Sequence, residues 1–166
     1  MGRIYTESEI HTRDIDWFCA INGVYLHVAS AGGDIPRIIN DRNVLRPCQR
    51  AVEALEDINT DEEVHINDAF LRRMNVNLES YLPSFVRMAK KGFYSFDRTN
   101  INDPDDDHYH LVAWPSHPVN NVENIPEINS GRLDFDNPEM MSDIPLKEII
   151  EHPLLQYFGK NIITVR

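Results

Sequence analysis

Two runs of strand-forming residues meet at Asn22-Gly23, within the stretch that spans residues 15–36. Asn-Gly readily supplies the two positive-φ positions of a type I′ turn, so the pattern predicts a tight β-hairpin over residues 15–30. With these two residues as the loop, the cross-strand pairs on one face are Ile21/Val24, Cys19/Leu26, Trp17/Val28 and Ile15/Ser30. The pairs on the opposite face are Ala20/Tyr25, Phe18/His27 and Asp16/Ala29. The first face is predicted to be core, whereas the second mixes aromatic with polar groups and is either a second packed face or the wall of a cleft.

A second alternating unit follows Gly92. Its two arms, Phe93–Thr99 and His108–Pro115, flank the acidic loop Asn100–Asp107. Alternation in both arms predicts an antiparallel hairpin over residues 93–114. The loop is too long to fix which residues of the two arms lie opposite one another.

Helical periodicity is strongest over Val44–Ile58. Its apolar residues at three- and four-residue spacing are Leu45, Cys48, Val52 and Leu55. A further helix is predicted from about Ser80 to Lys91, with Gly92 as its C-terminal stop. Weaker patterns predict three short helices: one from Asp34 through Ile38-Ile39, one that begins at Asn67 or Asp68, and one that begins at Leu146. They also predict a brief strand, Val64–Ile66, and a terminal strand, Asn161–Val165. Residues 1–14 are predicted to form an edge strand or an irregular arm, and residues 116–138 a long loop.

Together these elements predict a single α+β domain that spans residues 1–166. Its antiparallel hairpins, 15–30 and 93–114, are expected to pack with several short helices. A chain of 166 residues is long enough to bury a sizeable core without disulfides or a structural metal. Cys19 and Cys48 fit no metal or redox spacing, so both are predicted to be reduced core residues.

The chain is strongly acidic. Its 27 acidic and 16 basic residues give a formal net charge of −11, which argues against binding a nucleic-acid backbone by bulk electrostatics. The same charge is compatible with binding a basic protein partner, and equally with a role in keeping the protein soluble. No apolar run approaches the roughly 20 residues of a membrane span, and the start of the chain lacks the apolar segment of a signal peptide. We therefore expect a cytoplasmic protein without membrane association.

The acidic loop also contains candidate metal ligands. His108 and His110 are spaced i, i+2 on a predicted strand and project to one side, and neighbouring carboxylates would add oxygen ligands. An EF-hand loop needs glycine at its sixth position and glutamate at its twelfth, where this chain has His108 and Trp114. The pattern favours a solvated acidic turn over a specific metal site.

An ordered set of segments resembles a known family. Leu26–Ser30 (LHVAS), followed by Asp34–Ile39 (DIPRII), resembles the strand-to-helix opening of histidine-type ADP-ribosyltransferases, including the DarT-like branch. Lys91–Ser95 (KGFYS) is similar to the G-F-Y-S strand of diphtheria-toxin-like members. Glu139, before Ile144–Leu146, resembles the glutamate segment near the C-terminus of DarT-like chains.

This resemblance implies NAD as the cofactor, held in a cleft between two small sheets. It implies that His27 contacts the adenosine-side ribose and that Tyr94 stacks on nicotinamide, with Ser30 in the same cofactor-binding set. Glu139 would be the catalytic residue, because a carboxylate stabilises the developing oxocarbenium ion and orients the nucleophile. The acceptor is not indicated.

Two functional hypotheses therefore stand side by side. The first is an NAD-dependent ADP-ribosyltransferase-like enzyme. The second is a non-catalytic acidic interaction module, an inhibitor or immunity-type protein for a basic partner. In the second hypothesis the loop Asn100–Asp107 provides the binding surface, with four carboxylates predicted to project into solvent, those of Asp103, Asp105, Asp106 and Asp107.

Overall fold

The computed structural model describes residues 4–21, 24–37, 40–119, 132–150 and 155–157. The strands are β1 (Asp16–Ile21), β2 (Val24–Ala29), β3 (Val64–Ile66), β4 (Tyr94–Arg98), β5 (His108–Pro115), β6 (Ile144–Pro145) and β7 (Leu155–Tyr157). The helices are α1 (Glu7–Thr12), α2 (Arg42–Glu53), α3 (Asp68–Arg73), α4 (Leu78–Tyr81), α5 (Pro83–Lys90) and α6 (Leu146–Ile150). The strands form one mixed sheet in the order β3-β5-β4-β2-β1-β7, and β6 pairs with β5. The fold is α+β, as the sequence predicts.

Both predicted hairpins are present. In the first, Cys19 lies opposite Leu26 and Trp17 opposite Val28, which is the predicted register. Asn22 and Gly23 lie outside the described residues, but the pairing of Ile21 with Val24 leaves just these two residues as the connection. In the second hairpin β4 and β5 are antiparallel, with a register irregularity between Ser95 and Phe96.

The two hairpins are joined by a parallel pairing of β2 with β4. Leu26 lies opposite Tyr94 and His27 opposite Ser95. A parallel pair needs a long crossover, and the segment from α2 to α5 provides it. The carboxyl ends of β2 and β4 consequently lie side by side at one edge of the sheet.

Both faces of the sheet are buried. One face contributes to a cluster that includes Trp17, Leu26, Val28, Phe96 and Leu111. The other face contributes to two clusters that include Phe18, Tyr25, Phe93, Ala29 and Val112, together with Phe85 and Met88 of α5. The second face of the first hairpin is therefore a packed face, and every residue of β2 is buried.

Helix α2 begins two residues before the predicted start and ends earlier, at Glu53. Asp41 caps it, because its side chain accepts a hydrogen bond from the backbone N–H of Asn43 at 2.8 Å. Leu45, Cys48 and Val52 are buried as predicted. Cys19 and Cys48 are both buried free thiols, and burial raises the pKa of Cys48 to about 12.

The helix predicted over 80–91 is divided at Pro83, which begins α5 and separates it from α4. Gly92 ends α5 in a Schellman arrangement. The N–H of Gly92 bonds the carbonyl of Ala89, and the N–H of Phe93 bonds that of Met88. Gly92 has φ +98°, and a Cβ there would lie 2.5 Å from the backbone nitrogen of Val119, so glycine is required.

One expectation for the N-terminal third is wrong. Residues 7–12 form helix α1 rather than an edge strand or irregular arm, because Thr6 and Glu9 make a reciprocal capping box. The short helix predicted from Asp34 stays a prediction: residues 34–36 are not helical, Arg37 has a 3₁₀ conformation, and Ile38 and Ile39 lie outside the described residues.

The remaining short elements agree with prediction where they are described. Strand β3 and helices α3 and α6 occur at the predicted places. Of the predicted long loop, residues 120–131 lie outside the described part of the chain, and so does the predicted terminal strand Asn161–Val165.

Candidate functional site

Polar side chains gather at the edge where β2 and β4 end, on the face covered by α5. The antiparallel neighbours β1 and β5 begin at this edge with Asp16 and His108. Strand alternation places His27, Ser95 and Asp97 on the same face as Asp16. This cluster is the most polar part of an otherwise apolar core.

His27 lies at the centre of one hydrogen-bonded chain. Its Nδ1 is 2.6 Å from Ser95 Oγ, and its Nε2 is 2.9 Å from Asp16 Oδ1. The ring is 2% exposed and lies against Phe18 and Phe85. Ser95 is fully buried, so this serine, histidine and aspartate do not present a nucleophile to a substrate.

Asp97 belongs to a second chain of hydrogen bonds. The Tyr81 hydroxyl donates to Asp97 Oδ2 at 2.6 Å and lies 3.1 Å from His110 Nε2, and His110 Nδ1 is 3.0 Å from Thr99 Oγ1. When Asp97 is ionised, the single proton of Tyr81 is directed to it. We infer that Nε2–H of His110 then donates to Tyr81 and that the Thr99 hydroxyl donates to Nδ1.

Burial shifts the pKa of three members of this chain. It raises the pKa of Asp97 to about 6, against the opposing effect of the hydrogen bond from Tyr81, and the nearby Asp14 carboxylate adds to the rise. Burial lowers the pKa of His110 to about 4. It also raises the pKa of the Tyr81 hydroxyl, and the charge of Asp97 raises it further. Such displaced pKa values are common at functional sites and also in buried structural networks.

Arg98 connects this edge to the acidic loop. Its side chain is buried, and Nη1 donates to the carbonyl oxygens of Asn100, Asp103 and Asp106 at 3.2, 2.9 and 3.1 Å. Nη2 and Nε donate to the carbonyl of Ala31, just beyond β2, at 2.9 and 3.3 Å. One guanidinium thus holds the loop backbone against the end of the first hairpin.

The fit around Arg98 requires glycine nearby. A Cβ on Gly33 would lie 2.5 Å from Arg98 Cδ and 3.0 Å from its Nε. Gly33 therefore makes room for the side chain that holds the loop backbone.

Three of the four predicted loop carboxylates are exposed, those of Asp103, Asp105 and Asp107. Asp106 departs from the prediction, because its Oδ2 accepts from the backbone N–H of Asn100 at 3.0 Å and its Oδ1 lies 3.1 Å from His108 Nδ1. Asp34 adds a fourth exposed carboxylate directly after Gly33. We call Asp34, Asp103, Asp105 and Asp107 the acidic surface.

The structure does not bring the residues of the resemblance together. His27 and Ser30 are buried, and Ser30 Oγ accepts from the backbone N–H of Ile15. Tyr94 lies on the opposite face of the sheet from His27, with its ring 5.1 Å from that of Phe135. Glu139 is exposed in a 3₁₀ turn, Pro138–Met140.

The predicted histidine pair is engaged with protein groups. Both nitrogens of His110 contact hydroxyls, and His108 lies beside Asp106 and Asp107. Within the described residues, no group of three or more His, Cys, Asp or Glu side chains is arranged to hold a metal ion. In that same part of the chain, no helix has the length and apolarity needed to cross a membrane.

Sequence reasoning missed the roles of Asp16, Tyr81, Asp97 and Arg98. The sequence contains one signal for Asp16 and Asp97: each is a polar residue in a strand whose other residues are largely apolar. A polar side chain buried in such a strand needs a hydrogen-bond partner. No family model, curated protein or solved structure matches this chain. Its function must therefore be argued from its own residues.

Proposed function

We propose that this protein is a non-catalytic interaction module that binds a basic protein partner through the acidic surface. The observation that carries the proposal is the anchoring of the loop by Arg98, which fixes the backbone of Asn100–Asp107 from within and leaves Asp103, Asp105 and Asp107 facing solvent. A loop whose backbone is already ordered loses less conformational entropy when a partner binds.

Electrostatics supports a cationic partner. Like charges held close together repel, and the lysine and arginine side chains of a partner would relieve that repulsion. The net charge of −11 adds a long-range field of the same sign. Such attraction speeds association more than it strengthens the final complex, and it is screened beyond about 8 Å at physiological salt.

Neutralising the loop tests this proposal. The triple variant Asp103→Asn, Asp105→Asn and Asp107→Asn should bind a partner captured with the wild-type protein several-fold more slowly at low ionic strength. Its free energy of unfolding should change little, because the side chains are exposed and asparagine at 103 still accepts the N–H of residue 105. Association rates measured by biolayer interferometry over a range of salt concentrations provide the readout.

A matched control carries the same loss of charge elsewhere. Glu56→Gln, Glu62→Gln and Glu79→Gln replace three exposed carboxylates outside the acidic surface. This control should associate at nearly the wild-type rate. If both triple variants slow association equally, the loop has no special role and only net charge matters; if neither does, the acidic surface is not the binding surface.

The ADP-ribosyltransferase hypothesis stays a prediction and gives a different expectation. If the interaction proposal is correct, incubation with NAD should give no NAD turnover, whether or not NAD binds at another site of the protein. An enzyme of that family would bind NAD, and Glu139→Gln would lose NAD turnover while Glu79→Gln kept it. Saturable binding with that pattern of turnover would reject the non-catalytic proposal.

A further inference from the structure

Helix α2 presents a row of arginines to two adjoining cavities. Arg42, Arg46 and Arg50 recur every four residues and therefore lie along one side of the helix. A cavity of about 410 Å³ lies between α2 and the chain that leads into β1, and a second of about 320 Å³ lies along α2 itself. Arg46 and Arg50 line both cavities.

Most other charges around the two cavities are already paired. Arg42 contacts Glu9 and lies over the ring of Tyr5, and Glu53 contacts Arg87. Arg13 also lies near Glu9, with 3.6 Å between Arg13 Nη2 and Glu9 Oε2.

Arg46 and Arg50 differ from these neighbours. Both are exposed, and neither has an ion-pair partner within the described residues. Asp14 and Glu53 are the two carboxylates that also line the larger cavity. They are engaged elsewhere, because Asp14 accepts from the backbone N–H of Ala31 and Glu53 pairs with Arg87.

The wall opposite α2 is held in place by a hydrogen bond. Gln49 Nε2 donates to the backbone carbonyl of Asp16 at 2.7 Å and so fixes α2 against the start of β1. The larger cavity is bounded on one side by α2 and on the other by Tyr5 and residues 13–15, which lead into β1. A concave site of this kind suits a small ligand better than a flat macromolecular surface.

Guanidinium groups recognise phosphate oxygens in bidentate fashion. Side chains four residues apart on a helix are separated by about 5–6 Å at Cβ, so Arg46 and Arg50 match two adjacent anionic groups better than one. A polynucleotide is disfavoured by the net charge of −11. We propose that this site binds a small ligand that carries a diphosphate group. The proposal does not depend on the acidic surface.

Binding of inorganic diphosphate tests the proposal directly. At constant ionic strength, calorimetry should show saturable one-to-one binding of diphosphate and of ADP. Orthophosphate should bind about 10-fold or more weakly, because it cannot span both guanidinium groups, and adenosine should not bind. Equal affinity for diphosphate and ADP would mean that the diphosphate supplies the recognition, and tighter ADP binding would show that the natural ligand is a nucleotide. Binding of adenosine alone, or the absence of saturation by diphosphate, would overturn the proposal.

Variants locate the site. Arg46→Gln with Arg50→Gln should weaken diphosphate binding by about 10-fold or more. Arg72→Gln with Arg73→Gln removes the same amount of charge from α3. This variant should bind diphosphate within about two-fold of the wild-type affinity, because exposed charges on α3 act on the ligand only through the long-range field, which salt screens. An equal loss in both variants would identify nonspecific attraction and reject the site.

Lysine substitutions at the same two positions separate the effect of guanidinium geometry from that of charge. Arg46→Lys with Arg50→Lys keeps the charge but removes the planar fork, so diphosphate should bind more weakly than to the wild type and more tightly than to the glutamine variant. Wild-type affinity in the lysine variant would reject recognition by guanidinium geometry. Circular dichroism should be the same for all four proteins, because the substituted side chains are exposed.

Discussion

Arg98→Ala should lower the free energy of unfolding by about 3–5 kcal/mol, because several backbone carbonyls lose a charged donor and each buried group left unsatisfied costs about 1–3 kcal/mol. Arg98 is 2% exposed and donates to four backbone carbonyls, those of Ala31, Asn100, Asp103 and Asp106. Alanine replaces none of these hydrogen bonds. The carbonyls either remain unsatisfied or become hydrated as the loop opens. Denaturant unfolding measures the loss.

Two further variants separate the effect of geometry from that of charge. Arg98→Lys keeps a cation but offers one ammonium group in place of a planar fork, so a stability between those of the wild type and Arg98→Ala is expected. Arg72→Ala removes an exposed arginine whose partner is Asp68 and should change stability by about 0.5 kcal/mol or less. A loss below about 1 kcal/mol for Arg98→Ala would contradict the role assigned to this side chain.

The same variant connects stability with the proposed function. Without Arg98, the amides of Asp103 and Asp106, which bond carbonyls within the loop, should exchange with solvent faster. The carboxylates would still be present but on a mobile backbone. Partner binding should then weaken, even though no charge of the acidic surface has been altered.

The sequence predicted local pairing well because local chemistry determines it. Asn22-Gly23 limits the connection to two residues, and the period of two then fixes every cross-strand pair from Ile21/Val24 to Asp16/Ala29. Neither hairpin contains a signal for the parallel pairing of β2 with β4, whose strands are separated by the whole α2 to α5 segment. That pairing depends on the packing of both faces at once.

The errors in the helices have local causes. The weak alternation of residues 4–10 favours a strand, whereas the capping box of Thr6 and Glu9 favours a helix, and the helix forms. Periodicity over residues 80–91 places Pro83 in a helix interior, whereas its missing N–H favours the first turn of a helix. In both places a specific capping or proline signal outweighed periodicity.

The candidate site was only partly predictable. The acidic loop is evident in the sequence, but nothing local shows that Arg98 turns inward to hold it. Likewise Tyr81, Asp97 and His110 come from three different elements and meet only in the folded protein. Residues that act together through tertiary contacts leave no spacing for sequence analysis to detect.

Asp97 and His110 should make opposite contributions to stability over the same pH range. The folded protein retains the Asp97 proton up to a pKa of about 6, above the ordinary value of 3.8, so ionisation destabilises the fold as pH rises from about 4 to 6. His110 has a folded pKa of about 4, below the ordinary 6.5, so the unfolded chain holds its proton more tightly and stability rises with pH over about 4 to 6.5. At ~1.4 kcal/mol per pKa unit, each contribution amounts to about 3 kcal/mol.

These opposing contributions should nearly cancel in the wild type and appear separately in single variants. Asp97→Asn removes the contribution that decreases with pH and leaves that of His110. The free energy of unfolding of this variant should therefore rise by about 3 kcal/mol relative to that of the wild type between pH 4 and 6.5. His110→Gln removes the contribution that increases with pH, so the free energy of unfolding of this variant should fall by a similar amount over that range. Urea unfolding at closely spaced pH values gives these slopes, which are insensitive to any pH-independent packing loss caused by the substitutions. The double variant should follow the wild-type pH dependence. If the free energy of unfolding depends on pH in the same way in the wild type and in both single variants, neither Asp97 nor His110 has a shifted pKa in the folded protein. The hydrogen-bonded chain through Tyr81 would then make no contribution to the pH dependence of stability.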